Sequence, residues 1–107
     1  MKILKDYEGR DIRLTDERLA HIMEHPEMAD MEDAMAVTLK KPELVVRSVS
    51  DPGAALSYRY YFGTRVGDKW LCVVVKYREN DAFVLTAYLT DRPKKGERIW
   101  PQTPQKE

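Results

Sequence analysis

The chain has 107 residues, 43% hydrophobic and 34% charged, with 18 Lys/Arg against 18 Asp/Glu and a formal net charge of zero. That length suits one domain with a real core and is too short for two. No apolar run approaches the roughly 18 residues of a membrane helix, and the opening MKILKDYEGRD holds no apolar stretch of signal-peptide length, so the expectation is a cytosolic protein without a membrane partner.

A single cysteine, Cys72, excludes an internal disulfide and a cysteine-based zinc site. Its place inside LCVVV marks it as a core or sheet residue rather than a nucleophile. The neutral total also hides an asymmetry. Residues 1–39 carry five Lys/Arg against ten Asp/Glu, and residues 40–107 carry thirteen against eight. A basic half can present a positive face to a nucleic acid, or it can be no more than a solvated sheet beside an acidic helical region.

In chain order, Lys2 to Tyr7 and Arg10 to Thr15 flank Glu8-Gly9 and read as a short hairpin or extended arm. Thr15 or Asp16 can cap a helix over 16–25, which places Leu19, Ile22 and Met23 on one stripe. His25 precedes Pro26 and is biased out of helical geometry, so the helix ends there. Pro26 can open a second helix, with Met28, Met31, Met35 and Leu39 recurring every three or four residues from Glu27 to Lys40. Pro42 closes it.

After Pro42 the period becomes two. Leu44 to Val49, Leu56 to Gly63, Lys69 to Arg78 and Ala82 to Asp91 read as four strands joined by short turns, an antiparallel meander. The cleanest alternation is AFVLTAYLTDR at 82–92. The predicted architecture is α+β: two N-terminal helices packed on one face of a four-stranded antiparallel sheet. Residues 1–100 form the domain, and 101–107 are expected to be a flexible tail.

Strand phase sends Leu44, Val46, Leu56, Tyr58, Tyr60, Phe62, Leu71, Val73, Val75, Tyr77, Phe83, Leu85, Ala87 and Leu89 to the core. The other face then receives Arg47, Ser57, Arg59, Tyr61, Lys76, Thr86, Tyr88 and Thr90. Such a face suits a phosphodiester, because Arg and Lys neutralise phosphate while Tyr and Thr donate hydrogen bonds or stack on bases. Exposed strand faces are also normally polar. His21 and His25 are spaced i,i+4 and can share a helix face. HIMEH is not HExxH, because Glu24 sits in the wrong slot, so neither a metal nor a cofactor is expected. A histidine titrating near neutrality can serve as general acid or base in RNA cleavage. The turn Asp91-Arg92-Pro93-Lys94-Lys95-Gly96 either grips backbone phosphate or solvates a loop.

The segments DERLAHIMEHPEM at 16–28, PELVVRS at 42–48, YRYYFGT at 58–64, KWLCVVVKY at 69–77 and FVLTAYLTDRPKKGE at 83–97 resemble phage and bacterial domains grouped as barnase–EndoU–colicin–RelE-like nucleases. The resemblance covers roughly residues 10–100. It implies a metal-independent endoribonuclease that attacks through the RNA 2′-hydroxyl, leaves a 2′,3′-cyclic phosphate and is sometimes held by an inhibitor protein. Carried onto this chain, it implies catalytic roles for His21 or His25, Arg47, Lys76, Thr86 and Tyr88. Arg59, Tyr61, Asp91, Lys94 and Lys95 would bind substrate. A catalytically silent module that binds nucleic acid or protein through the same face is the alternative, distinguished by salt-sensitive RNA binding without cleavage.

Overall fold

The computed structural model of the protein describes residues 1–102. Most of the tail expected to be flexible, residues 103–107, lies outside the described residues.

The chain opens on a hairpin, β1 (Lys2–Lys5) and β2 (Asp11–Leu14). Its turn is clamped by Asp6, whose buried carboxylate accepts from the backbone N–H of Glu8 and of Arg10 at 2.9 Å. Alternation in β2 buries Ile12 and Leu14 completely or nearly so. Helix α1 (Asp16–Met23) starts at Thr15, whose side chain accepts from Arg18 N–H, with Asp16 and Glu17 at the positive end of its dipole. It ends two residues before the expected boundary, because His25 takes extended backbone ahead of Pro26. The second expected helix splits into a 3-10 turn (Pro26–Met28) and α2 (Glu32–Lys40). The methionine stripe survives the split: Met28, Met31, Met35 and Leu39 are all buried.

Then come β3 (Leu44–Arg47), β4 (Ala54–Thr64), β5 (Gly67–Arg78), β6 (Asp81–Thr90) and β7 (Arg98–Trp100). All seven strands form one sheet in the order β1-β2-β6-β5-β4-β3-β7. Every pairing is antiparallel except β2 with β6, which run parallel at Arg13 and Phe83. This corrects the expected architecture. The class is α+β, but the sheet is seven-stranded and mixed rather than four-stranded and antiparallel. The expected N-terminal arm forms a hairpin, but its strands join the sheet, so the helices lie between β2 and β3 rather than N-terminal to the sheet. The difference arises at the two edges, where short strands join the meander through contacts distant in sequence. Among the described residues no helix is long and apolar enough to cross a membrane.

Helix α1 lies on β6, and α2 lies on β5, β4 and β1, so both cover the same face. The main core forms there from Ile12, Leu14, Ile22, the methionine stripe, Leu71, Val73, Val75, Val84 and Ala87. A smaller apolar cluster of Val46, Leu56, Tyr58 and Cys72 sits on the opposite face. That face carries no helix.

The two clusters overturn part of the expected face assignment. Ser57 pairs with Val73, Arg59 with Leu71 and Tyr61 with Lys69; directly opposed residues share a face, so these three β4 residues look toward the helices. Leu56, Tyr58, Tyr60 and Phe62 look the other way. Ala54 to Tyr58 are all buried, and a strand covered on both faces does not reveal its orientation by hydrophobicity. In β6 the phase breaks once. Val74 pairs with Thr86 but Val75 with Val84, leaving Leu85 as a bulge. Phe83 therefore shares the open face with Lys76, while Ala87 and Leu89 turn to the helices.

Candidate nucleic-acid interface

The open face brings together Lys76, Thr86, Tyr88 and Thr90, opposite Phe83, Val74, Cys72 and Trp70 respectively or adjacent to them in register. It does not receive Arg47, Arg59 or Tyr61. Arg59 donates to the Lys41 carbonyl at 2.7 Å, capping the end of α2. Tyr61 donates to the Ala34 carbonyl at 2.9 Å and bonds the Thr38 hydroxyl, so it buttresses the same helix. Arg47, opposite Ala55 on the helix-bearing side, is held by Glu97 and the Pro52 carbonyl.

Both histidines belong to the helical layer. His21 sits in α1 beside Glu24, and His25 just after it beside Glu27, with side chains 70% and 67% exposed. Sheet thickness separates them from Lys76, Thr86 and Tyr88. The constellation of a histidine with these three groups is thus not assembled.

What crosses the open face is the segment from Asp91 to Glu97. It leaves the end of β6 and passes over β5, β4 and β3 before pairing as β7 on the far side of β3. Lys94 N–H donates to the Tyr58 hydroxyl at 3.0 Å, and the Lys94 ammonium lies 5.9 Å from the centre of the Tyr88 ring. At its far end the Glu97 carbonyl accepts from Arg47 N–H at 2.8 Å. Asp91 is tied to Lys69, whose ammonium holds its carboxyl below the usual range. Lys94 and Lys95 line a groove of about 260 Å³ with Val46, Ser48 and Leu56.

Beneath this strap, Tyr58, Cys72 and Tyr88 come together. Burial pushes the Cys72 thiol up to about 11 and the Tyr58 phenol up to about 12. Burial, with the neighbouring thiol, raises Tyr88 further still, and its hydroxyl is buried without a hydrogen bond of good geometry. All three are protonated at neutral pH. With its hydroxyl buried, Tyr88 offers the open face its ring.

Beyond the strap, toward the β4–β5 turn, aromatic rings meet edge to face. Phe62 and Tyr60 have centroids 5.1 Å apart, Tyr60 and Trp70 5.3 Å, and Trp70 and Tyr58 6.4 Å. Phe62 is 79% exposed. On the other side of the strap, Phe83 lies between two guanidiniums, Arg13 at 5.2 Å and Arg78 at 5.5 Å. Asp81 pairs with Arg13 and Asp51 with Lys76, each carboxyl lying below its usual range because of that partner. Neither aromatic group belongs to the face predicted from strand phase. The run YRYYFG, dense in rings, was the available signal, but phase assigned Tyr58, Tyr60 and Phe62 to the core.

Among the described residues no group of three or more His, Cys, Asp and Glu side chains is placed to hold a metal ion. No protein-family model, curated protein or solved structure matches the chain.

Proposed function

We propose that the protein binds single-stranded RNA across the open face of its sheet. One observation carries the reading: a continuous series of ring contacts runs from exposed Phe62 through Tyr60 and Trp70 to Tyr58, where the strap lysine Lys94 begins. Aromatic side chains on an open sheet stack with unpaired bases, and nearby cations neutralise the backbone. Lys94 and Lys95 supply those cations beside the rings; Arg13 and Arg78 supply them at Phe83. RNA rather than DNA follows from the resemblance of the FVLTAYLTDRPKKGE and YRYYFGT segments to ribonuclease domains. Binding is preferred to cleavage because His21 and His25 stand on the helical side, away from Lys76 and Thr86.

The test is fluorescence anisotropy with a labelled single-stranded RNA, its duplex as control, in EDTA and at two salt concentrations. Single strands should bind more tightly than duplex, and affinity should fall as salt rises. Phe62→Ala and Trp70→Ala should each cost about 1–3 kcal/mol of binding, the value of a stacked base. Equal affinity for duplex, or unchanged binding in both variants, would sink the assignment. A denaturing gel of the same samples reads cleavage; fragments lost in His21→Ala or His25→Ala would return the protein to the ribonuclease reading.

A further inference from the structure

The helix-bearing side holds a separate pocket of about 300 Å³ between the β1–β2 turn and the adjoining ends of β4 and β5. That is the small end of ligand pockets, which span about 300–1,000 Å³. Its wall includes Tyr7, Glu8, Arg10, Arg47, Gly53 and Tyr77. We propose that it binds a mononucleotide, the phosphate meeting the two guanidiniums and the base lying among the tyrosines with its N–H edge toward Glu8.

The wall is built in advance. Buried Asp6 accepts from the Tyr77 hydroxyl at 2.8 Å as well as from the Glu8 and Arg10 amides, so one carboxylate ties the turn to β5. Tyr7 packs on Trp100 with ring centroids 5.8 Å apart. The Arg10 guanidinium lies 5.4 Å from the centre of the Tyr77 ring. Among the described residues its hydrogen bonds go to the backbone carbonyls of Arg78, Glu79 and Asp81, which are neutral acceptors, and leave from Nη2. Arg47 gives Nε to the Glu97 carboxylate and Nη1 to the Pro52 carbonyl, and among the described residues its Nη2 has no protein acceptor. Two guanidiniums with donors to spare suit a phosphate monoester. Stacked Arg10 and the phenols suit a flat ring. Exposed Glu8 is an acceptor, and guanine offers two adjacent N–H donors to a carboxylate, which makes GMP the probe.

The site is on the opposite face from Phe62, Tyr60 and Trp70, so either proposal can fail alone. An NMR titration of the 15N-labelled full chain with GMP, guanosine, UMP and inorganic phosphate tests it. GMP should move the amides of Tyr7, Arg10, Gly53 and Tyr77, and should bind at least about tenfold more tightly than guanosine or phosphate, since each lacks one half of the recognition. Arg10→Gln should weaken GMP about tenfold. Glu8→Gln, a change at an exposed side chain, should lower the preference for GMP over UMP with the spectrum otherwise unchanged. Shifts confined to Tyr60 and Trp70, affinity for phosphate alone equal to that for GMP, or no shift at all would overturn the assignment.

Discussion

Cys72 shows how one residue's place decides its chemistry. It is fully buried between Tyr58 and Tyr88, and burial outweighs the nearby Lys94 ammonium, so the thiol is pushed up to about 11. A thiol with a raised value favours its protonated form in the folded state. The resulting stability is fully present below the unfolded value near 8.5 and is lost as pH rises through about 11. Native protein should therefore react slowly with iodoacetamide at pH 7.5 and quickly in denaturant. Across the alkaline window, Cys72→Ala should lose on the order of 2 kcal/mol less stability than the parent, measured by urea unfolding at pH 8 and pH 11. The LCVVV context already placed this residue in a core. Tyr88 was legible as an open-face residue, but its sealed hydroxyl was not, because the strap that covers it arrives from outside β6.

At the scale of elements, the strap from Asp91 to Glu97 is the feature that shapes the open face. Gly96 lets it approach β3. A Cβ there would meet the Arg47 carbonyl oxygen at 2.6 Å, and backbone on both sides leaves little room to yield. Gly96→Ala should destabilise the fold by about 1–3 kcal/mol, the usual cost of overpacking. Hydrogen exchange should quicken at the Lys94 amide, which donates to the Tyr58 hydroxyl. Thermal unfolding and exchange on the same variant check both; unchanged exchange would mean that Gly96 does not seat the strap. RPKKG was visible as a basic turn. Its path over three strands depends on where Arg98 to Trp100 pair, a contact of long sequence separation that no local pattern encodes. Arg59 and Tyr61 carry the same lesson: their strand alternates as expected, but its register with β5 turns them onto α2.

For the whole molecule, the acidic first third and basic remainder are partly knitted together by charge. Arg13 of β2 meets Asp81 of β6 through two hydrogen bonds of 2.8 and 2.7 Å across the parallel junction. Within the remainder, Lys76 and Asp51 join β5 to the β3–β4 connection through two hydrogen bonds as well. Both carboxyls lie below their ordinary value of 3.8, chiefly through those bonds. Lowered carboxyls contribute stability above 3.8 that is lost as pH falls through their lower folded values. Stability should therefore drop below about pH 4. Asp81→Asn and Asp51→Asn should each be less stable than the parent at pH 7 yet lose less on acidification, as urea unfolding at pH 7 and pH 3 would show. Equal losses in all three proteins would remove these pairs from the acid response.

The sequence by itself determined the local elements: Thr15 caps α1, Pro26 separates α1 from the next turn, Pro42 follows the end of α2, the methionine period sets the buried side of the second helical segment, and alternation marks β3 to β6. These follow from interactions within a few residues. Tertiary structure decided the rest. Which face each strand shows depends on partner register, on the bulge at Leu85 and on cover from both sides of β4, while the seven-strand order depends on edge pairings formed across the chain. The open face was for that reason predicted correctly at Lys76, Thr86, Tyr88 and Thr90 of β5 and β6. It was reversed at β3 and at β4, where Ala54 to Tyr58 are buried in both phases and only strand pairing tells the faces apart.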